Sequence, residues 1–178
     1  GHDVTFVARG ATLAALHTSG LRVDSVDGDL VLPTVRATDD LQTIGIVDVV
    51  LVCVKSTQVE ALAPALRPLI GPATAVIPLQ NGVEASAMLA RVLGEAHVME
   101  GLARLIAEQV APGHIRHAAV TPVIAFGPRG ALPADAAARG PVAPFAAAIP
   151  RGGMHTLLPH GIAAAEGGEF HVFTPLTA

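Results

Sequence analysis

Val47-Asp48-Val49-Val50-Leu51-Val52-Cys53-Val54-Lys55 is an almost unbroken apolar run that closes on a cation. A Val-rich run of this kind suits a strand of a parallel sheet covered on both faces, because neither face then meets water. A second run, Ala75 to Leu79, leads in the same way into Gln80-Asn81-Gly82-Val83-Glu84. In open parallel sheets a ligand sits outside the carboxyl ends of the strands, so Lys55 and Asn81 are expected to face one crevice.

Working outward, the segments around these strands alternate in type. Thr57 is placed to cap a helix over Gln58 to Leu69, which Gly71-Pro72 stops. Val83 to Leu93 reads as an amphipathic helix ended by Gly94, and His97 to Ala103 as the next strand. Upstream, Val4 to Ala8 forms a short strand, Ala11 to Ser19 a helix stopped by Gly20, and Leu21 to Val26 with Leu30 to Val35 a hairpin turned at Asp27-Gly28-Asp29. Downstream, Ile115 to Phe126 has an interrupted β texture that suits an antiparallel edge of the same sheet. Residues 131 to 150 are mostly Ala, Pro and Gly, and read either as a helix around Ala134 to Arg139 or as a by-product of compositional bias. The resulting fold class is α/β, a mostly parallel sheet with antiparallel edge strands.

Composition narrows the function. The 178 residues are 51% hydrophobic, 15% charged and 3% aromatic, which describes an aliphatic, core-forming chain rather than a disordered one. A formal net charge of −4 without any cluster of Lys or Arg argues against nucleic acid or an anionic membrane as partner. A small anionic ligand needs only a few local cations. The single cysteine, Cys53, lies in the most apolar run and forms no internal disulfide, which fits a reducing, cytoplasmic setting. No apolar stretch reaches the ~18 residues of a membrane span. The eight histidines lack the close spacing and acidic company of a zinc site, so no metal is expected.

Four motifs, in order and spacing, resemble the ketopantoate reductases (2-dehydropantoate 2-reductases): Gly1-His2-Asp3-Val4 with Arg9, Cys53-Val54-Lys55-Ser56-Thr57-Gln58, Leu79-Gln80-Asn81-Gly82-Val83-Glu84, and Pro112-Gly113-His114-Ile115-Arg116-His117. The resemblance is strong over residues 1 to about 127 and traceable again from Met154 to Ala178. It implies a Rossmann-like domain that binds NADPH, a helical second domain, and hydride transfer to ketopantoate on the pantothenate pathway. By the same resemblance Arg9 is the ligand of the adenosine 2′-phosphate, where an NAD-specific enzyme carries an acid. Lys55 lies by cofactor and substrate, Gln58 lies by the cofactor, Asn81 touches both nicotinamide ribose and substrate, and Ala107 meets the cofactor through its backbone. Read as residues alone, Arg9 is equally a solvated arginine, Lys55 a solubilising strand end, Gln58 a first-turn helix residue and Asn81-Gly82 a common turn.

Two departures from the family pattern bear on activity. The glycine-rich phosphate turn is missing, and about twenty residues, one strand, turn and helix, are expected to precede Gly1 to complete the first βα unit. Glu169 stands where the family has its general-acid lysine, and Gly167 where it has a tryptophan. A carboxylate ionised at neutral pH cannot protonate a ketone oxygen as an ammonium does. The chain is therefore expected to be a fragment truncated at both ends, with residues 1–130 an incomplete NADP-binding domain and 131–178 its end, a linker and the start of a helical C-terminal domain. Reduction of ketopantoate by NADPH is expected to be impaired in it. The alternatives are a non-catalytic nucleotide-binding remnant and a related 2-keto acid or β-hydroxyacid dehydrogenase. A small 2-keto acid is the expected partner, and a homodimer is possible.

Overall fold

The computed structural model describes residues 2–81, 84–129, 143–148 and 155–157. The helix expected around Ala134 to Arg139, and Gly167 and Glu169, lie outside the described residues.

Strand β1 (Thr5–Val7) leads into helix α1 (Gly10–Ser19), and the chain reverses at Gly20 into β2 (Leu21–Ser25). Gly20 has φ 73°, a conformation that L side chains rarely adopt, and a Cβ there would overlap the carbonyl oxygen of Leu32. The expected hairpin is present: β2 runs antiparallel to β3 (Leu30–Leu32), and Asp29 Oδ1 accepts from the Ser25 N–H at 3.0 Å inside the turn. A strand that the apolar pattern did not signal follows, β4 (Arg36–Thr38), paired in parallel with β1. It is short and half polar, so its sequence carries no period-2 alternation long enough to read.

The two apolar runs become β5 (Val49–Val52) and β6 (Ala75–Pro78), paired in parallel with Val52 opposite Pro78. Between them the expected single helix divides. Helix α2 (Ser56–Leu62) gives way to a 3₁₀ segment, Ala63–Leu69, because Pro64 and Pro68 lack the N–H that an α-helical ladder requires. Its cap is not Thr57. Lys55 occupies the N-cap, with its backbone N–H donating to Gln58 Oε1 at 3.3 Å and its carbonyl accepting from the Gln58 N–H at 2.9 Å. Helix α3 (Glu84–Leu93) returns to the long ribbon of β7 (Met99–Ala111) and β8 (His114–Pro128).

The antiparallel strands do not form the outer edge of the β5–β6 sheet. β8 is interior to a second sheet, ordered β3-β2-β8-β7, with β9 (His155–Leu157) also parallel to β8, and it absorbs its irregular texture as register shifts against β7. The ribbon hangs on β6 through the parallel bridge Val76 to Val98 and a 3.3 Å hydrogen bond from the Ala103 N–H to the Leu79 carbonyl. Gly101 permits this approach, since a Cβ there would overlap the Pro78 carbonyl oxygen and the Ile77 side chain. At the far end His117, 6% exposed, ties β8 to the hairpin. Its Nε2 donates to the Val120 carbonyl at 2.9 Å, which leaves Nδ1 to accept from the Ser25 hydroxyl at 2.8 Å. Val120 is held there at φ 66°.

Two layers of core result. On one face of β5–β6, Val50, Val52 and Val76 pack against Val59, Leu66, Leu69 and Leu89. On the other, Ala75 and Ile77 pack with Ala103, Ile124 and Phe126, and the ring of Phe145 in helix α4 (Ala143–Ala148) lies 5.6 Å from that of Phe126, tilted by 43°. β6 is thus covered on both faces, as expected, whereas β5 is not: Leu51 and Cys53, which point away from Val50 and Val52, are exposed. Among the described residues none of β1, α1 or β4 belongs to these clusters, although Leu16 of α1 is itself buried.

Gly101→Ala should lower stability by roughly 1–3 kcal/mol in urea unfolding, since backbone rather than a flexible side chain must yield. Gln58→Ala should cost about 1 kcal/mol in the same measurement through loss of the cap. Asp24 accepts from Arg22 Nε at 2.6 Å and lies 2.8 Å from His114 Nε2; the hydrogen bond from Arg22, then that from His114, holds its carboxyl below the usual 3.8. A folded value below the unfolded one means that this contribution is complete above pH 3.8 and fades as pH falls through the lower folded midpoint. Asp24→Asn should flatten that part of an acid-unfolding curve.

Candidate functional site

A parallel strand pair delivers successive residues to the same end of the sheet, so the groups that follow β5 and β6 emerge side by side. The ladder ends with Val52 opposite Pro78, and Lys55 and Asn81, each three residues further on, leave the sheet at that same end. Gln80 fixes the two tips together. Its Nε2 donates to the carbonyls of Val52 at 2.8 Å and Val54 at 2.7 Å, and the Leu79 N–H donates to the Val52 carbonyl at 3.0 Å. Lys55 and Asn81 are both exposed while Gln80 between them is buried. The arrangement therefore offers an ammonium and a carboxamide to solvent from a rigid, buried base.

Gln58 joins this group through Lys55, but its side-chain oxygen is engaged by the Lys55 N–H and serves the helix cap. Arg9 stands apart, exposed at the end of β1 in the N-cap position of α1, with its carbonyl accepting from the Leu13 N–H at 3.3 Å. Among the described residues its guanidinium forms no ion pair. Ala107 lies half-buried on β7 beside a register shift, opposite His117.

β7 links the two places. Ala103 meets Leu79 at the β6 tip, and six residues later Gln109 Nε2 donates to Thr12 Oγ1 of α1 at 3.1 Å. At about 3.3 Å per residue that separation is about 20 Å at most, with Ala107 between its ends. The structure therefore joins Lys55 and Gln58, sets Asn81 at the same end of the neighbouring strand, and leaves Arg9 and Ala107 elsewhere.

Gln80 is the residue that the sequence reading left without a role. Its signal was present, since an amide immediately after an apolar β6 must either reach a partner or leave the core. An open depression of about 400 Å³, lined in part by His17, Arg36, Thr38 and Thr43, includes none of the expected site residues. Among the described residues no three His, Cys, Asp or Glu side chains stand close enough to hold a metal ion. Nor is any described helix long and apolar enough to cross a membrane.

Known proteins share both sequence and fold with this chain. A 2-dehydropantoate 2-reductase of Nostoc sp. is 35% identical over 117 residues, covering 66% of this chain and 36% of that enzyme. The crystal structure of 2-dehydropantoate 2-reductase from Geobacter metallireducens superposes with a TM-score of 0.77 at 28% identity, over 89% of this chain and 51% of that one. D-mandelate dehydrogenase, solved with NADH and anilino(oxo)acetate, shares the fold at 16% identity with a TM-score of 0.73, over 88% of this chain and 49% of that one. The chain thus spans about a third to a half of the length of these proteins. The family model described as ketopantoate reductase PanE/ApbA matches residues 1–130, and the chain belongs to that family.

Proposed function

We propose that this chain carries the nucleotide-binding part of an NADPH-dependent reductase that converts 2-dehydropantoate to pantoate, a step towards pantothenate. The observation that carries the reading is the emergence of Lys55 and Asn81 at the same end of the paired strands β5 and β6, whose tips Gln80 ties together, in a member of this family. A bound reduced nicotinamide supplies the hydride. Lys55 offsets the charge of a nucleotide phosphate or of the keto acid carboxylate, and Asn81 offers a donor and an acceptor at once. Arg9, exposed after β1 and without an ion pair among the described residues, takes the adenosine 2′-phosphate, and Ala107 meets the nucleotide through its backbone. A small 2-keto acid as partner and a reducing cytoplasmic setting belong to the same proposal.

Glu169 in the position of the family lysine favours a second reading, a nucleotide-binding remnant without turnover. A carboxylate there repels an anionic keto acid and holds no proton to give at neutral pH. In a chain of its relatives' full length, turnover that appears with Glu169→Lys and is absent without it supports the reductase reading, and no turnover in either favours the remnant. If ketopantoate is reduced no faster than other 2-keto acids, a related dehydrogenase is the better description.

Titration of the chain with NADPH and with NADH, followed by nicotinamide fluorescence, tests the cofactor half. NADPH should saturate at least tenfold more tightly. Arg9→Ala should abolish that preference while leaving NADH binding unchanged, and Lys55→Ala should weaken both nucleotides about tenfold. Equal affinity for the two nucleotides, or saturation with neither, overturns the assignment of NADP.

A further inference from the structure

Over one short stretch β8 is longer than the strand it pairs with. Three steps along β7 lead from Arg104 to Ala107, whereas their partners on β8, Val123 and His117, stand six apart. The surplus includes Val120 at φ 66°, the one non-glycine residue with positive φ among those described. A β-branched residue rarely adopts that conformation and keeps it only where its surroundings impose it. Here the imposing group is His117, 6% exposed, whose Nε2 donates to the Val120 carbonyl at 2.9 Å and closes the surplus into a bulge. The hairpin holds His117 in turn. Ser25 pairs with it in the β2–β8 ladder and donates its hydroxyl to Nδ1 at 2.8 Å, and the His117 carbonyl accepts from the Val26 N–H at 3.4 Å.

Ala107 lies opposite His117, where this bulge ends. An alanine offers a ligand little besides its backbone, so the position of that backbone is nearly its whole contribution. Taking up the surplus one residue further along would give Ala107 another partner and exchange the faces of its neighbours.

We propose that His117 is a positioning residue of the nucleotide site: through its bond to Val120 it pins the bulge and so fixes the backbone that Ala107 presents. The inference rests on the proposed meeting of Ala107 with the nucleotide and adds the residue that sets that backbone in place. His117 acts through the ladder and not by contact with the ligand. It therefore governs the affinity for NADPH and NADH alike, whereas Arg9 governs the difference between them.

The test separates the two bonds of the imidazole. In His117→Gln the side-chain nitrogen reaches the place of Nε2 and keeps the bond to Val120, whereas in His117→Asn it reaches only the place of Nδ1 and loses that bond. In titrations followed by nicotinamide fluorescence, His117→Gln should bind both nucleotides within threefold of wild type, and His117→Asn about tenfold more weakly. Adding Val120→Gly to His117→Asn should return the affinity to within threefold of wild type, because glycine adopts positive φ without a clamp. A purely structural role for His117 gives no such rescue. Unweakened binding by His117→Asn, equal weakening in His117→Gln, or weakening that Val120→Gly does not reverse overturns the proposal and leaves the cofactor reading intact. Where the variants fail to fold, the wild-type chain decides. A ligand that needs the pinned bulge must stabilise it, so saturating NADPH should slow hydrogen exchange of the Val26 amide, bonded to His117, at least threefold. Saturation with an unchanged exchange rate overturns the proposal, and saturation of wild type by neither nucleotide overturns the cofactor reading together with it.

Discussion

β6 is buried from both sides at once, and each layer of the molecule rests on that condition. Val76 and Ile77 are fully buried on opposite faces, one against the helices α2 and α3, the other against the β7–β8 ribbon. Side chains of this size contribute about 1.5–3 kcal/mol each when wholly removed from water. A strand enclosed in this way cannot slip by one residue without exchanging its two faces, so its register with β5 is fixed. The emergence of Lys55 and Asn81 at the same end of the sheet is a product of that register. Gln80 extends the same constraint beyond the last ladder pair, by bonding to β5 carbonyls where strand pairing has already stopped.

The division of labour at the strand ends follows from ordinary electrostatics. An ammonium and a carboxamide are useful to a ligand only if they remain hydrated until it arrives, which requires exposure. They are specific only if their backbone is immobile, which requires burial. The chain satisfies both by alternating an anchored residue with presented ones: Gln80 beside Asn81, and Val54 beside Lys55. Membership of the ketopantoate reductase family is consistent with this arrangement, although the geometry stands on the hydrogen bonds alone.

How much of this could be read from the chain depended on the range of the physics involved. The β5, β6, α1 and α3 segments were legible because their signals are local: apolar runs, glycine stops and periodic spacing. The division of the second helix was legible in principle from Pro64 and Pro68, but apolar periodicity through Leu62, Leu66 and Leu69 outweighed it. β4 escaped because three residues carry no pattern, and β8 was misplaced because pairing partners ninety residues away decide whether a strand is an edge. The exposure of Cys53 shows the same limit from the other side, since an apolar run states what a strand tolerates, not what covers it. Lys55 and Asn81 were singled out through motif resemblance, whereas the hydrogen bonds of Gln80 to Val52 and Val54 required coordinates, because partners this far apart in the chain leave no local pattern.

The separation of β1, α1 and β4 from the three apolar clusters has a consequence for how the molecule breathes. Local opening costs little where few apolar contacts must be broken, so amide protons of the three-residue β1–β4 ladder should exchange with solvent well before those of β6. The Lys55 and Asn81 tips, tied to the enclosed β6, should therefore stay ordered under conditions in which the Arg9 turn already opens and closes.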